Sequence, residues 1–210
     1  MRFTDRHDAG KKLLSPLHAY KDDKNAIVIG LPRGGVVTAW EVAHALHLPL
    51  DIICPRKVGA PHNPELAIGA VCATGEAYFN DGLIADLGVS PEYIDQEVAK
   101  ERKLSRMRLD LYRKGRPPLD LKGKTAILVD DGLATGATMR AAIQSVRALD
   151  AKKIVVAVPV SPPDTATAIR ALCDACFCLL TPVMFYAVGQ FYVEFGQTED
   201  EEVMALLSQP

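Results

Sequence analysis

One pattern recurs along this chain: a short apolar run rich in β-branched residues, then Gly or Pro, then a helical stretch. Ala26-Ile27-Val28-Ile29 begins it, followed by Leu31-Pro32-Arg33-Gly34-Gly35 and a helical stretch over 36–46. There Val36, Trp40, Ala43 and His47 fall three or four residues apart. A second strand is predicted over 50–54. A third, over 66–73, pairs with 77–79 as a hairpin across Thr74-Gly75-Glu76. Ser90-Pro91 supplies an N-cap and a first-turn proline for a long helix reaching about Lys114. A strand over 125–129, a small-residue loop over 132–136, a helix to about Leu149 and a strand over 153–158 follow. Ser161-Pro162-Pro163-Asp164 opens another helix in the manner of a capping box. The last strand is 175–180, and a short helix closes the chain near 199–207. Strands alternating with helices dictate βαβ units and a mainly parallel sheet, with helices on both faces. Ligands of such sheets bind at the carboxyl ends of the strands, so the loops that follow strands are the ones to read for chemistry.

Composition agrees with one folded unit over 1–210. Of the 210 residues, 49% are hydrophobic and 24% charged, which argues against disorder. A chain of this size buries roughly 70% of its unfolded surface and needs no disulfide or metal staple. The net charge of −2 gives no reason to expect wholesale coating of nucleic acid. Five cysteines, few and odd in number, do not make a secreted disulfide framework. The first residues lack the apolar region of a secretory signal, and the most apolar stretch, 171–189, is interrupted by Asp174, Thr181 and Pro182. The expectation is a cytoplasmic protein without a membrane partner.

The most informative loop follows the 125–129 strand: Asp130-Asp131-Gly132-Leu133-Ala134-Thr135-Gly136-Ala137-Thr138. An apolar strand delivers two adjacent carboxylates to its carboxyl end, and small residues then turn directly into a helix. Backbone N–H groups at a helix start, with the positive dipole end, make a phosphate cradle. Small residues let the backbone approach phosphate oxygens, and Thr135 and Thr138 add hydroxyl donors. Paired acids suit the vicinal hydroxyls of a ribose with a hydrated Mg²⁺ nearby. An ordinary strand–turn–helix junction with two capping acids is the plain alternative. Asp22-Asp23 has neither a preceding strand nor a following glycine loop and reads as solvated loop. Patterns for a P-loop, a GxGxxG dinucleotide loop and a GxSxG elbow are absent.

Through Asp130–Thr138 the chain resembles the type I phosphoribosyltransferases, which bind phosphoribosyl pyrophosphate (PRPP). That resemblance implies an α/β fold with a parallel sheet flanked by helices (core about 26–180). It also implies a small hood from the N- and C-terminal segments, and the long helix then reads as an insertion. The implied activity is Mg²⁺-dependent transfer of a 5-phosphoribosyl group from PRPP to a nitrogen of a nucleobase-like acceptor, a step of nucleotide metabolism. Asp130 and Asp131 would hold ribose and metal. Ala134, Thr135, Gly136, Ala137 and Thr138 would hold the 5-phosphate. Arg33, Gly34 and Gly35 after the first strand would hold pyrophosphate, together with Arg56 and Lys57 after the second, in a mobile loop over 55–65. Lys57 also counts among the catalytic candidates. His62 and Glu65 are the acid/base candidates there, with simple solvated side chains as the alternative. Near the C-terminus, Phe191 and Tyr192 resemble a base-stacking pair, or else hood core. Glu194 stands where some relatives carry a metal-binding Asp. Ala134 replaces the Asp found before Thr-Gly in users of 6-oxopurines, which disfavours hypoxanthine and guanine and leaves the acceptor open.

Two features read as bland. The cationic long helix, from Lys100 to Arg116, reads as a solvated face, with RNA contact or a partner copy in a homo-oligomer as alternatives. Cys173, Cys176 and Cys178 read as reduced core thiols rather than metal ligands, since no fourth ligand is placed. Two other functions stay open: a non-catalytic PRPP- or nucleotide-sensing regulator that binds nucleic acid, and a PRPP hydrolase.

Overall fold

The computed structural model describes residues 2–209, the side chain of Glu65 excepted. Its frame is a five-stranded sheet of β1 (Ala26–Gly30), β2 (Leu50–Ile52), β6 (Thr125–Val129), β7 (Lys153–Val160) and β8 (Ala175–Leu180), in the order β2-β1-β6-β7-β8. Every neighbouring pair is parallel. The strands are apolar throughout because both faces are covered. Ile29, Leu128 and Val156 point to one face, against Met139 and Ile143 of α5 (Ala137–Ala148) and Ile169 of α6 (Pro163–Arg170). Val28, Ile127 and Val155 point to the other, against Leu13 and Leu17 of α1 (Arg6–Leu17) and Val42 and Leu46 of α2 (Gly34–Leu46). Alternation along each strand therefore fills two cores, as a doubly covered parallel sheet requires.

The elements between β2 and β6 form a second layer with its own apolar cluster. β3 (Arg56–Ala60), β4 (Asn63–Val71) and β5 (Tyr78–Phe79) make an antiparallel sheet. Val58, Ile68 and Val71 pack there against Ile84 of α3 (Asp81–Leu87) and Ile94 and Val98 of α4 (Pro91–Tyr112). Ser90 caps α4 as expected, its Oγ accepting from the Tyr93 N–H at 3.3 Å. The chain ends in α7 (Asp200–Ser208), whose Val203 and Leu207 pack on Val36, Val37 and Tyr112. No helix among the described residues is long and apolar enough to cross a membrane.

Three local expectations need correction. The segment 55–65 is no loop: β3 and β4 pair from Arg56↔Val71 to Ala60↔Asn63, and a tight turn at Pro61-His62 joins them. The α6 helix is not capped by Ser161, whose hydroxyl donates instead to the Pro162 carbonyl at 3.1 Å, and the N-cap position falls to Pro162. Helix α1 has no counterpart in the sequence reading. Asp5 caps it by accepting from the Asp8 N–H at 2.8 Å, and Gly10 lets α1 lie directly on α2, since a Cβ there would sit 2.7 Å from the Thr38 carbonyl.

Candidate active site

At the carboxyl end of the sheet, β1 and β6 are neighbours, so the loops that follow them meet. Contact is close enough to exclude side chains. A Cβ on Gly35 would lie 2.5 Å from Asp130 Oδ1, and one on Gly34 would lie 2.2 Å from Asp131 Oδ2. At Gly35 the approach involves backbone, the Asp130 Cα lying 2.9 Å from such a Cβ, and requires glycine; at Gly34 the neighbours are side-chain ends of Asp131 and Arg6. The peptide bond between Pro32 and Arg33, just before the two glycines, is cis.

The two acids are not equivalent. Asp130 accepts the Asp131 N–H at 2.9 Å, and burial, reinforced by the charge of Asp131, pushes its carboxyl well above the usual range. Burial also raises Asp131, but Arg6 opposes that shift. Arg6 reaches in from the first turn of α1 and donates from Nε to Asp131 Oδ2 at 2.7 Å, with the two side chains only 13% and 15% exposed. The same guanidinium donates to the Gly196 carbonyl at 2.7 Å and lies 3.9 Å above the Phe195 ring. Arg6 is the functional candidate that sequence reasoning missed. Nothing in the spacing of Arg6 and Asp131, 125 residues apart, announces their contact.

The segment 134–138 turns from loop into helix, as the sequence predicts. Gly136, at φ 74°, turns the chain into α5, and the Ala137 N–H donates to Thr135 Oγ1 at 3.4 Å. Thr165 of α6 braces the loop, its hydroxyl donating to the Ala134 carbonyl at 2.9 Å. Ala134 and Thr135 are exposed, so the loop faces solvent at the head of α5.

The remaining candidates are placed less simply. Arg33 faces the start of α7, with Nη1 3.5 Å from Glu199 and 3.6 Å from Asp200. Arg56 is turned toward α4, donating from Nε to the buried Glu101 at 2.7 Å. Lys57 is exposed on β3, and His62 sits at the exposed hairpin turn with φ 63°. The side chain of Glu65 lies outside the described residues. Phe191 and Tyr192 are only 8% and 3% exposed. Their rings pack on Phe185 and Phe3, and the Tyr192 hydroxyl donates to the Asp131 carbonyl at 2.6 Å. They are core and backbone support, and neither presents a stacking face. Glu194 is exposed and lines a cleft of about 270 Å³ with Asp5, Arg6 and Glu202. Among the described residues no three His, Cys, Asp or Glu side chains converge as a metal site, so Glu194 does not join Asp130 and Asp131.

On the cationic helix Lys100, Lys103 and Arg106 are exposed, as a solvated face requires, while two arginines also bond the chain beneath. Arg102 donates to the Cys72 and Gly75 carbonyls at 3.0 and 2.9 Å, and Arg106 to Ala73 at 3.2 Å. Beyond its end, Arg113 grips Asp51 through two bonds of 2.7 and 2.9 Å. A wider cavity of about 610 Å³ lies near the opposite end of the sheet, beside Ile27, Leu50 and Arg113, and contains none of the site candidates.

Comparison with known proteins places this geometry. A family model described as a phosphoribosyl transferase domain matches residues 3–195. Curated relatives from two strains of Mycobacterium tuberculosis, each named "Putative phosphoribosyl transferase", are 43% identical over 205 residues, covering 98% of this chain and 46% of theirs. The chain thus spans about half the length of the curated relatives it matches. The crystal structure of TT1426 from Thermus thermophilus superposes with a TM-score of 0.79 at 42% identity, covering 99% of this chain and 98% of that one.

Proposed function

The chain belongs to the phosphoribosyl transferase domain family, and we propose that it transfers the 5-phosphoribosyl group of PRPP to a nitrogen of a nucleobase-like acceptor, releasing pyrophosphate. One observation carries this reading. The Gly34-Gly35 loop and the Asp130-Asp131 pair meet at one sheet end, and the head of α5 follows immediately. A ligand bearing two phosphate groups on a diol-containing ring matches that arrangement of parts.

In this reading Asp130 and Asp131 accept the ribose hydroxyls. The backbone of 134–138, at the start of α5, receives the 5-phosphate, where N–H donors and the helix dipole favour an anion. The backbone at Gly34 and Gly35 lies against the pyrophosphate, with Arg33 and Lys57 supplying positive charge. Cleavage at the ribose C1 develops positive charge on the ring and negative charge on the leaving group, so fixed donors and positioning supply most of the rate.

Mg²⁺ fits the acid pair. Two adjacent carboxylates lie beside a single guanidinium, and the Asp130 carboxyl is raised first by burial and then by the charge of Asp131. Asp130 and Asp131 would hold the ion, which neutralises pyrophosphate charge when bound. Phe195 and the exposed Tyr186, rather than Phe191 and Tyr192, are the aromatic rings accessible to an acceptor.

The test is a pyrophosphate-release assay with Mg²⁺ and PRPP over adenine, orotate, hypoxanthine, guanine and related bases. The reading predicts release that requires one acceptor. Release independent of every base would make the protein a PRPP hydrolase and overturn the transfer reading. A lack of PRPP binding would overturn the whole assignment.

A further inference from the structure

Arg140 stands in the first turn of α5, where its N–H donates to the Gly136 carbonyl at 2.9 Å. The residue is half-buried, and its guanidinium lies over the Tyr78 ring, 4.9 Å from the centroid. Contact over a ring engages a guanidinium through its face and leaves the N–H edges for other partners. Among the described residues no such partner exists: the Arg140 side chain makes no hydrogen bond and no ion pair. Its Nε is the one buried side-chain nitrogen or oxygen there without a hydrogen-bond partner. An unpaired buried donor is costly. The positive end of a helix also disfavours a cation in the first turn, and α5 carries no acid there to offset it.

The surroundings of Arg140 direct it to the head of α5. Helical side chains lean toward the N-terminus and cover the preceding turn, so Arg140 leans over Gly136 and Ala137. The neighbouring chain follows the same direction. The Thr74 and Ser145 hydroxyls hydrogen-bond at 2.9 Å, and Tyr78, further along that chain, meets Arg140, nearer the helix start. Tyr78 therefore packs the guanidinium at the end of α5 where Ala134 and Thr135 are exposed.

From these observations we propose that Arg140 is a further binding residue, donating through its free N–H edge to the phosphate monoester received at the start of α5. The inference rests on the phosphoribosyl reading of that loop. It adds a fixed charge to a cradle otherwise built of backbone N–H groups and threonine hydroxyls. A guanidinium presents paired donors that match phosphate oxygens. The bound anion satisfies donors that the chain leaves empty, and it turns an unfavourable cation at the helix start into a favourable one. Arg140 then selects phosphorylated sugars over free ones.

Isothermal titration with ribose 5-phosphate, and with PRPP and Mg²⁺, tests this on the parent, R140Q and R140K, with a melt to confirm folding. R140Q should lose roughly tenfold or more in affinity for both ligands, and R140K should lose less. A second measurement uses the native chain and stands even if a variant fails to fold. Phenylglyoxal should modify Arg140, and ribose 5-phosphate should slow that modification several-fold while leaving the exposed Arg170 unaffected, as mapped by mass spectrometry. A folded R140Q that binds ribose 5-phosphate as tightly as the parent would overturn the inference. So would an Arg140 that resists the reagent without ligand or reacts equally with it. In each of these cases PRPP binding by the parent leaves the transfer reading standing, whereas a parent that binds neither ligand overturns both.

Discussion

Arg6 holds the only guanidinium in hydrogen-bond contact with the Asp131 carboxylate among the described residues, and that contact is largely shielded from water. Removing one member of a buried pair leaves the other charge uncompensated, which costs more than the pair itself contributes. R6Q should lower stability by about 3 kcal/mol at neutral pH. The loss should be smaller in acid, where Asp131 is protonated in either chain. Thermal melts of both proteins at the two conditions check this. An equal loss at both would mean that Arg6 acts through packing on Phe195 alone.

Asp130 is raised in the same direction as Asp131 and more strongly. Its folded carboxyl is raised, so the folded chain holds that proton more tightly than the unfolded chain. The stability this provides is complete below the ordinary carboxylate range and is lost as pH rises through the raised value. D130N keeps an oxygen acceptor for the Asp131 N–H and removes the charge. It should be more stable than the parent by about 1 kcal/mol at neutral pH, with a flatter pH profile and weaker PRPP binding. A melt series across pH decides it, and a variant less stable than the parent at neutral pH would contradict the argument.

These residues mark what could be read from sequence. Asp130 to Thr138 was legible because its parts are contiguous and each obeys a local rule. Arg6 was not, because its contact is made by tertiary packing of the first helix on the loop after β6. For Phe191 and Tyr192 the sequence left base-stacking and hood core both open, since the choice depends on packing against Phe3 and Phe185.

At the scale of elements, the five strands of the parallel sheet were readable from apolar runs and the turns after them, with β2 two residues shorter than expected. The hairpin of β3 and β4 was not, because Gly59, Pro61 and Pro64 read as loop. The structure admits them through register shifts at Gly59, where a Cβ would meet Pro64 at 2.7 Å. Helix α1 was hidden in the same way by Gly10 and Pro16. The hairpin is tethered to α4 by Arg56 and Glu101, a pair whose Glu is buried and whose Arg is partly exposed. R56Q should cost about 1–2 kcal/mol, less than a fully buried pair because solvent screens the arginine. The effect should be local: amide hydrogen exchange should quicken in β3 and β4 while β1 and β6 keep their protection. Uniform quickening would show that the pair supports the whole fold instead. The inward bonds of Arg102, Arg106 and Arg113 explain why a sequence-level basic helix need not be a nucleic-acid surface.

At the scale of the whole molecule, the two ends of the chain close the site together. Phe3 and Tyr192 bridge, Val193 donates to the Phe3 carbonyl at 2.8 Å, and Glu194 donates to Thr4 at 2.8 Å. The near-neutral net charge hides this arrangement: acids converge at one sheet end, and a single arginine from the first helix offsets one of them. This end of the sheet is expected to bind PRPP through its acid pair. Isothermal titration with PRPP and Mg²⁺ tests it directly, using the parent and the D130N/D131N double variant, with a melt to confirm that the variant is folded. The account predicts saturable binding to the parent, dependent on Mg²⁺, and a loss of tenfold or more (about 1.4 kcal/mol) in the variant. A folded double variant that binds PRPP as tightly as the parent would contradict it.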